Sequence, residues 1–285
     1  MTASLARTGA AGAGAGAVAV FDSGVGGLTV LRAIRDRLPH EALVYVADQA
    51  HVPYGGRPAA EVAAFAAGIT RFLSGLGVRL VTVACNSASG AALGELRARF
   101  PGLPFVGMEP ALKPAVALSR SGVIGVLATT ATLGGQLYPD LRRRVAANVT
   151  VLEDPCDGLV ARLELGDPDG PETRAILSRI ITPMLARGAD VLVLGCTHFP
   201  LALAAIRAIA GPAVTVLDPA PAVARRVGQL LAGCGGRPVS SGTGGLRLFT
   251  SGNPAVLACL ACRWLGAAPP VHAVAWVDGE LCLSP

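Results

Sequence analysis

The sequence predicts an α/β protein built as two pseudo-symmetric lobes, each a mostly parallel sheet flanked by helices, with an active site expected in the cleft between them. Three observations predict it. Short β-branched runs alternate almost throughout with Ala/Leu/Arg-rich segments of helical spacing, the pattern of right-handed βαβ units and a parallel sheet covered on both faces. The 285 residues exceed what one six-stranded sheet needs. Four strand ends run into polar turns, two in each expected lobe, and the carboxyl ends of parallel strands are where such sheets bind ligands.

The elements follow in order. Strands are expected at "AVAVF" (17–21), "ALVYVA" (42–47), "RLVTVA" (79–84) and "PFVGM" (104–108), then at "VIGVLA" (123–128), "VTVL" (149–152), "DVLVLG" (190–195) and "AVTVLD" (213–218). Each is a short apolar run rich in β-branched residues, the signature of a strand buried on both faces. Segments such as "LTVLRAIRDRL" and "AAEVAAFAAGITRFL" between them carry apolar residues at helical spacing. The division expected is a flexible Ala/Gly tail over 1–16, a first lobe of 17–110 plus 215–285, and a second lobe of 111–214.

Composition narrows the function. Apolar residues make up 52% of the chain and charged ones 15%, so it is globular. The net charge of +5 comes almost wholly from arginine, Lys113 being the only lysine. Basic residues do not interleave with aromatics, and the densest run, in "LRRRVAA", reads as a solvated helix face. No nucleic-acid partner is expected, whereas small anionic substrates suit the charge. Seven cysteines at 85, 156, 196, 234, 259, 262 and 282 form neither a disulfide framework nor a repeated zinc pattern, which points to a reducing, cytoplasmic setting. The N-terminal stretch lacks a leucine-rich signal core, and no uninterrupted apolar run reaches membrane-spanning length, so no membrane partner is expected.

The four turns are "FDSGVGG" (21–27), "ACNSAS" (84–89), "LATTAT" (127–132) and "GCTHFP" (195–200). Two end in a cysteine followed at once by small polar residues. A cysteine at a strand-to-helix turn sits near the positive end of a helix dipole, which is expected to lower the thiol pKa below about 8.5. Two thiols presented from two lobes to one carbon, one taking a proton and the other giving one, suffice to invert a stereocentre. Asp22 is read as a helix cap or a proton-handling neighbour, and His198 as a partner of Cys196 or of a nearby carboxylate. Hydroxyls and amides at Ser23, Asn86, Ser87, Thr129, Thr132 and Thr197 suit the gripping of carboxylates.

Carried by "VFDSGVGGLTVLRAI", "ADQAHVPYGGRP", "VACNSASGAAL", "GVIGVLATTATL" and "VLVLGCTHFPLA", the chain closely resembles the glutamate racemases of bacterial cell-wall synthesis from about residue 17 to about 255. The resemblance implies interconversion of L- and D-glutamate by a cysteine pair, with no metal and no pyridoxal phosphate. It makes Cys196 the base toward the L-isomer and Cys85 the base toward the D-isomer, with Asp22 and His198 assisting the thiols. It places Ser23, Tyr54, Gly55, Asn86, Ser87, Thr132 and Thr197 on the substrate. The spacing of Cys156 and Glu164 in "CDGLVARLE" adds Glu164 to that set, against the alternative of a solvated charge at a helix end. Two motifs depart from the usual pattern: Ser87 stands where many members have threonine, and "ATTAT" replaces "GTKAT". Members are often homodimers, and the resemblance leaves a homodimer open here.

Rival readings are weaker. "FDSGVGGLT" with Asp48 imitates a dinucleotide fingerprint, but Thr29 replaces the third glycine and Asp22 would face a pyrophosphate with like charge. Cys85, Cys196 and His198 lack compact metal-site spacing. A Schiff-base enzyme would have to use Lys113. "CLAC" at 259–262 lies in a helical pattern and is expected to pack in the core. Aspartate racemase is the serious alternative within the superfamily; those enzymes commonly carry glutamate after the second Cys-Thr, where this chain has His198.

Overall fold

A computed structural model describes residues 16–233, 244–266 and 269–284. The tail expected over 1–16 lies outside the described residues except for Gly16, and Cys234 lies outside them too. The strands are β1 (Val18–Asp22), β2 (Leu43–Ala47), β3 (Leu80–Val83), β4 (Phe105–Val106), β5 (Val123–Leu127), β6 (Thr150–Asp154), β7 (Val191–Leu194), β8 (Thr215–Leu217), β9 (Leu246–Thr250), β10 (Val271–Val277) and β11 (Glu280–Leu283). They form a seven-stranded sheet in the order β11-β10-β9-β2-β1-β3-β4 and a four-stranded sheet in the order β6-β5-β7-β8. All pairings are parallel except that of β10 with β11. Helices follow most strands, as parallel connections require.

The same strand order occurs twice. In the first sheet β2-β1-β3-β4 and in the second β6-β5-β7-β8 place the first strand between the second and the third. Strand order therefore reverses beside β1 and again beside β5, and each reversal opens a crevice at the strands' carboxyl ends. Register brings those ends level, with Phe21 opposite Val83 and Leu127 opposite Leu194. Cys85 stands two residues beyond β3 and Cys196 two beyond β7, so both thiols occupy the matching position of a matching crevice.

Buried apolar strands hold this frame. β1, β2, β3 and β7 are buried along their whole length. One continuous apolar cluster runs from Val18 on the first sheet and Leu28 and Leu31 on the helix after β1 to Leu127 and Leu192 on the second sheet and Phe199 in the turn after β7. Complete burial of a side chain such as Phe199 contributes about 1.5–3 kcal/mol. Two expectations need correction. The segment beginning at 215, assigned to the first lobe, starts with β8, which pairs with β7 in the second sheet. The "CLAC" pair does lie in a helix, Pro254–Leu265, but Cys259 and Cys262 are exposed while Leu257, Leu260 and Ala261 form its buried face.

Candidate active site

Cys85 ends the extended run of β3 and is the N-cap of the helix Asn86–Arg99, where its sulfur accepts from the Ala88 N–H at 3.5 Å. Cys196 differs. It leads into Thr197, His198 and a 3₁₀ turn, Phe199–Ala202, before the next helix, so only the first cysteine has the helix-capping geometry expected of both. The expected lowering of the thiol pKa fails at Cys85. Burial pushes that thiol well above its usual value and the Asp22 carboxylate adds to the rise, outweighing Ala88 N–H and the Ser23 hydroxyl. Cys85 therefore keeps its proton.

Beside Cys196 lies a buried relay. Cys196 Sγ is 3.8 Å from His198 Nδ1, and His198 Nε2 is 2.6 Å from Glu164 Oε1. Burial opposes a charge on His198, but its contacts with Cys196 and Glu164 prevail and hold its pKa well above the ordinary value. Burial likewise opposes ionisation of Glu164, and hydrogen bonding to His198 overrides it, keeping the carboxyl below its ordinary pKa. The pair is thus imidazolium and carboxylate: Nε2–H donates to Glu164 and Nδ1–H faces the Cys196 sulfur. Glu164 also accepts from Val25 N–H at 2.7 Å and from Gln49 Nε2 at 3.0 Å. With both oxygens engaged by protein and no face on the cleft, it stands behind His198 and not among the substrate-facing groups where it was expected. It ends the helix Leu159–Glu164, as its spacing suggested, yet it is no solvated charge.

Asp22, at the end of β1, is wholly buried and also stands behind the cleft. Its Oδ2 accepts from Gly27 N–H at 2.8 Å and its Oδ1 accepts from the Thr197 hydroxyl at 3.3 Å. Burial raises its pKa, partly offset by His198. The glycine turn after β1 is thereby explained. Its amides at Val25 and Gly27 are taken by the carboxylates of Glu164 and Asp22, so a pyrophosphate would find them occupied. Gly24 and Gly26 are required by closeness, since a Cβ on the first would collide with Glu164 and on the second with the His198 ring.

Eleven of the thirteen site residues expected from sequence line one narrow cleft: Ser23, Tyr54, Gly55, Cys85, Asn86, Ser87, Thr129, Thr132, Cys196, Thr197 and His198. Both sheets contribute. The Ser87 hydroxyl meets that of Thr129 at 3.0 Å across the cleft, and Thr129 meets Thr132 at 3.1 Å. Gly55 lies against Thr129, where a Cβ would approach to 2.8 Å. Asn86 is buried, yet neither its amide nitrogen nor its amide oxygen has a partner. A buried primary amide left in that state costs about 1–3 kcal/mol, which a bound polar ligand would recover. Tyr54 reaches the wall from a short 3₁₀ turn, Tyr54–Gly56, and its hydroxyl donates to Asp48 at 2.6 Å. Sequence reasoning gave Asp48 and Gln49 no part in the site; their signal was position, immediately after the apolar run of β2. Among the described residues no three His, Cys, Asp or Glu side chains are grouped to hold a metal ion.

A twice-repeated parallel unit, with one cysteine at each crevice, defines a class. The chain belongs to the Asp/Glu/hydantoin racemase family, whose model matches residues 28–227. Within that class its relatives are glutamate racemases. The enzyme of Roseiflexus sp. (strain RS-1) is 52% identical over 238 residues, covering 83% of this chain and 88% of the relative. That of Pseudomonas aeruginosa (strain PAO1) is 49% identical over 215 residues, covering 75% and 81%. Among solved structures, Escherichia coli glutamate racemase in complex with L-glutamate and the activator UDP-MurNAc-Ala superposes with a TM-score of 0.81 at 29% identity, covering 93% of this chain and 100% of that one. The Thermus thermophilus enzyme, in complex with β-chloro-D-alanine, gives 0.75 at 35% identity, covering 91% and 97%.

Proposed function

We propose that the protein interconverts L- and D-glutamate by exchanging the α-hydrogen between Cys196 and Cys85. The observation that carries this reading is that the two thiols, each beyond the third strand of a repeated unit, line one closed cleft. In the L-to-D direction Cys196 takes the α-proton and the Cys85 thiol returns one to the other face of the carbon. The turnover ends with the proton on Cys196 and the negative charge on Cys85; the D-to-L direction runs in reverse. The surroundings suit the division: burial keeps Cys85 protonated, ready to act as the acid, and the His198 N–H is aimed at charge on the Cys196 sulfur. When charge reaches Cys85, Ala88 N–H and Ser23 are there to receive it.

An α-hydrogen beside an ammonium is very weakly acidic, so the site must stabilise charge growing on the substrate carboxylate. The Asn86 amide and the hydroxyls of Ser87, Thr132 and Thr197 are assigned to that task, with Tyr54 and Gly55 closing the wall. The relatives' substrate and the absence of glutamate at position 198 favour glutamate over aspartate. The product would supply D-glutamate for peptidoglycan from the cytoplasm. Among the described residues no helix is long and apolar enough to cross a membrane. The test is circular dichroism of L- and D-glutamate, and in parallel L-aspartate, incubated with purified protein and no added cofactor. Loss of optical signal from both glutamate enantiomers is expected; faster loss with aspartate would overturn the substrate assignment.

A further inference from the structure

We infer that Trp276, on β10 near the C-terminus, is a positioning residue for racemisation: its indole N–H anchors Asp48, and Asp48 anchors Tyr54 in the cleft wall. The inference rests on the function proposed above. It starts from Asp48, a fully buried carboxylate that, among the described residues, is held by neutral donors and a histidine and not by arginine or lysine. Burying such a group demands that its lone pairs be filled. Four donors do so. Oδ2 accepts from the Tyr54 hydroxyl at 2.6 Å and faces His51 Nδ1 at 2.8 Å. Oδ1 accepts from the Ser251 hydroxyl at 2.7 Å and from Trp276 Nε1 at 2.7 Å.

The two halves of this arrangement come from different parts of the chain. His51 and Tyr54 belong to the loop after β2, whereas Ser251 follows β9 and Trp276 lies on β10. One carboxylate thus ties the substrate-facing loop to the C-terminal strands. Trp276, half-buried, is itself held by neighbours from three elements. Its ring meets His51 edge-on at 5.3 Å, and His51 stacks on Phe65 at 3.8 Å. Trp276 pairs with Leu281 across the β10–β11 hairpin. Gly68, inside the helix Ala59–Gly75, admits the indole: a Cβ there would stand 2.5 Å from its Cζ3. The backbone of Asp48 is tied to the site as well, its N–H donating to Asp22 O at 3.0 Å. Trp276 lies outside residues 28–227, the span matched by the family model.

Trp276→Phe keeps an aromatic ring and deletes the donor. Its kcat/KM for glutamate is expected to fall about fivefold, the size of one ordinary net hydrogen bond, with KM carrying most of the change. In a Tyr54→Phe background the same substitution should change kcat/KM by less than about twofold, because the residue it acts through has lost its link to Asp48. Gly68→Ala improves helix propensity yet crowds the indole, and a rise in KM is expected there too. Far-UV circular dichroism and Tm confirm that each variant is folded at the assay temperature. Wild-type KM in both Trp276→Phe and Gly68→Ala, or an equal loss with and without Tyr54→Phe, overturns the inference while leaving the racemase reading intact. A wild type that does not racemise glutamate overturns both.

Discussion

Cys85 and Cys196 differ in what surrounds each sulfur, and that difference is testable residue by residue. Cys85→Ala and Cys196→Ala should each lower racemisation by about 10³-fold or more, the size of a positioned acid or base. Serine at either place should also be severe, since a hydroxyl is a far poorer base than a thiolate. In deuterated water the wild type should load deuterium at the α-carbon of the product; near-normal turnover without either sulfur would falsify the two-base scheme. His198 carries a second prediction. It holds its proton more tightly folded than unfolded, so its stabilisation is complete below the unfolded value of 6.5 and is lost as pH rises through the folded value. Glu164 has the opposite sign: its contribution is present above 4.5 and is lost as pH falls through its lowered folded value. The buried Cys85 thiol adds its own loss only above 9.0. Between about pH 6.5 and 8.5, Tm should therefore decline, and His198→Asn should flatten that limb. A slope unchanged in the variant would remove the His198–Glu164 ion pair from the account. At this scale the sequence revealed which residues meet in the cleft and that His198 partners Cys196 or a carboxylate, but not that the carboxylate is Glu164. Burial overruled the helix dipole at Cys85, and Glu164 proved to serve His198; neither follows from spacing.

The element that most constrains the chemistry is the turn after β1. It brings Asp22 back onto its own Gly27 amide, offers Val25 N–H to Glu164 and leaves no room for a side chain at Gly24 or Gly26. Gly26→Ala should push the His198 ring from its place. A displacement of about 1 Å is expected to cost about 10²-fold in kcat, with a stability loss of about 1–3 kcal/mol from overpacking. Steady-state kinetics and a thermal melt check both, and wild-type kcat would show that the ring position is immaterial. Elements also differ in how legible they were. β1 to β8 stood out as apolar runs; β1, β2, β3 and β7, covered on both faces, need nothing else, whereas the edge strands β6 and β8 kept the pattern although they are largely half-exposed. β9, β10 and β11 did not: "VHAVAWV" is mostly half-exposed and "ELCL" buries only Leu281. Their signal was the turn between them. Val277 pairs with Glu280, leaving a two-residue loop of Asp278 and Gly279, both at positive φ, the Asp-Gly hairpin signature. Missing that hairpin concealed Trp276 and the anchor it gives to Asp48.

For the whole molecule, the strand order repeated in two sheets puts one thiol on each side of a cleft that is closed as it stands. The space left inside is about 20 Å³, enough for one water. An amino acid of ten non-hydrogen atoms takes the place of several waters, more than the one this space admits. At the mouth the Ser87–Thr129 hydrogen bond spans the closure and contributes only about 0.5–1.5 kcal/mol, while deeper bonds from Thr197 to Asp22 and from Val25 and Gln49 to Glu164 join the two halves. The apolar cluster shared by both sheets lies behind the cleft and provides the pivot. The lobes should therefore part as rigid bodies to admit glutamate and close around it, excluding water while the α-carbon carries charge. Small-angle scattering of the free protein should give a larger radius of gyration than this closed form, and saturating glutamate should shrink it. Identical profiles with and without glutamate would rule out large closure, leaving side-chain movement at Ser87 and Thr129 as the route by which substrate reaches the two sulfurs.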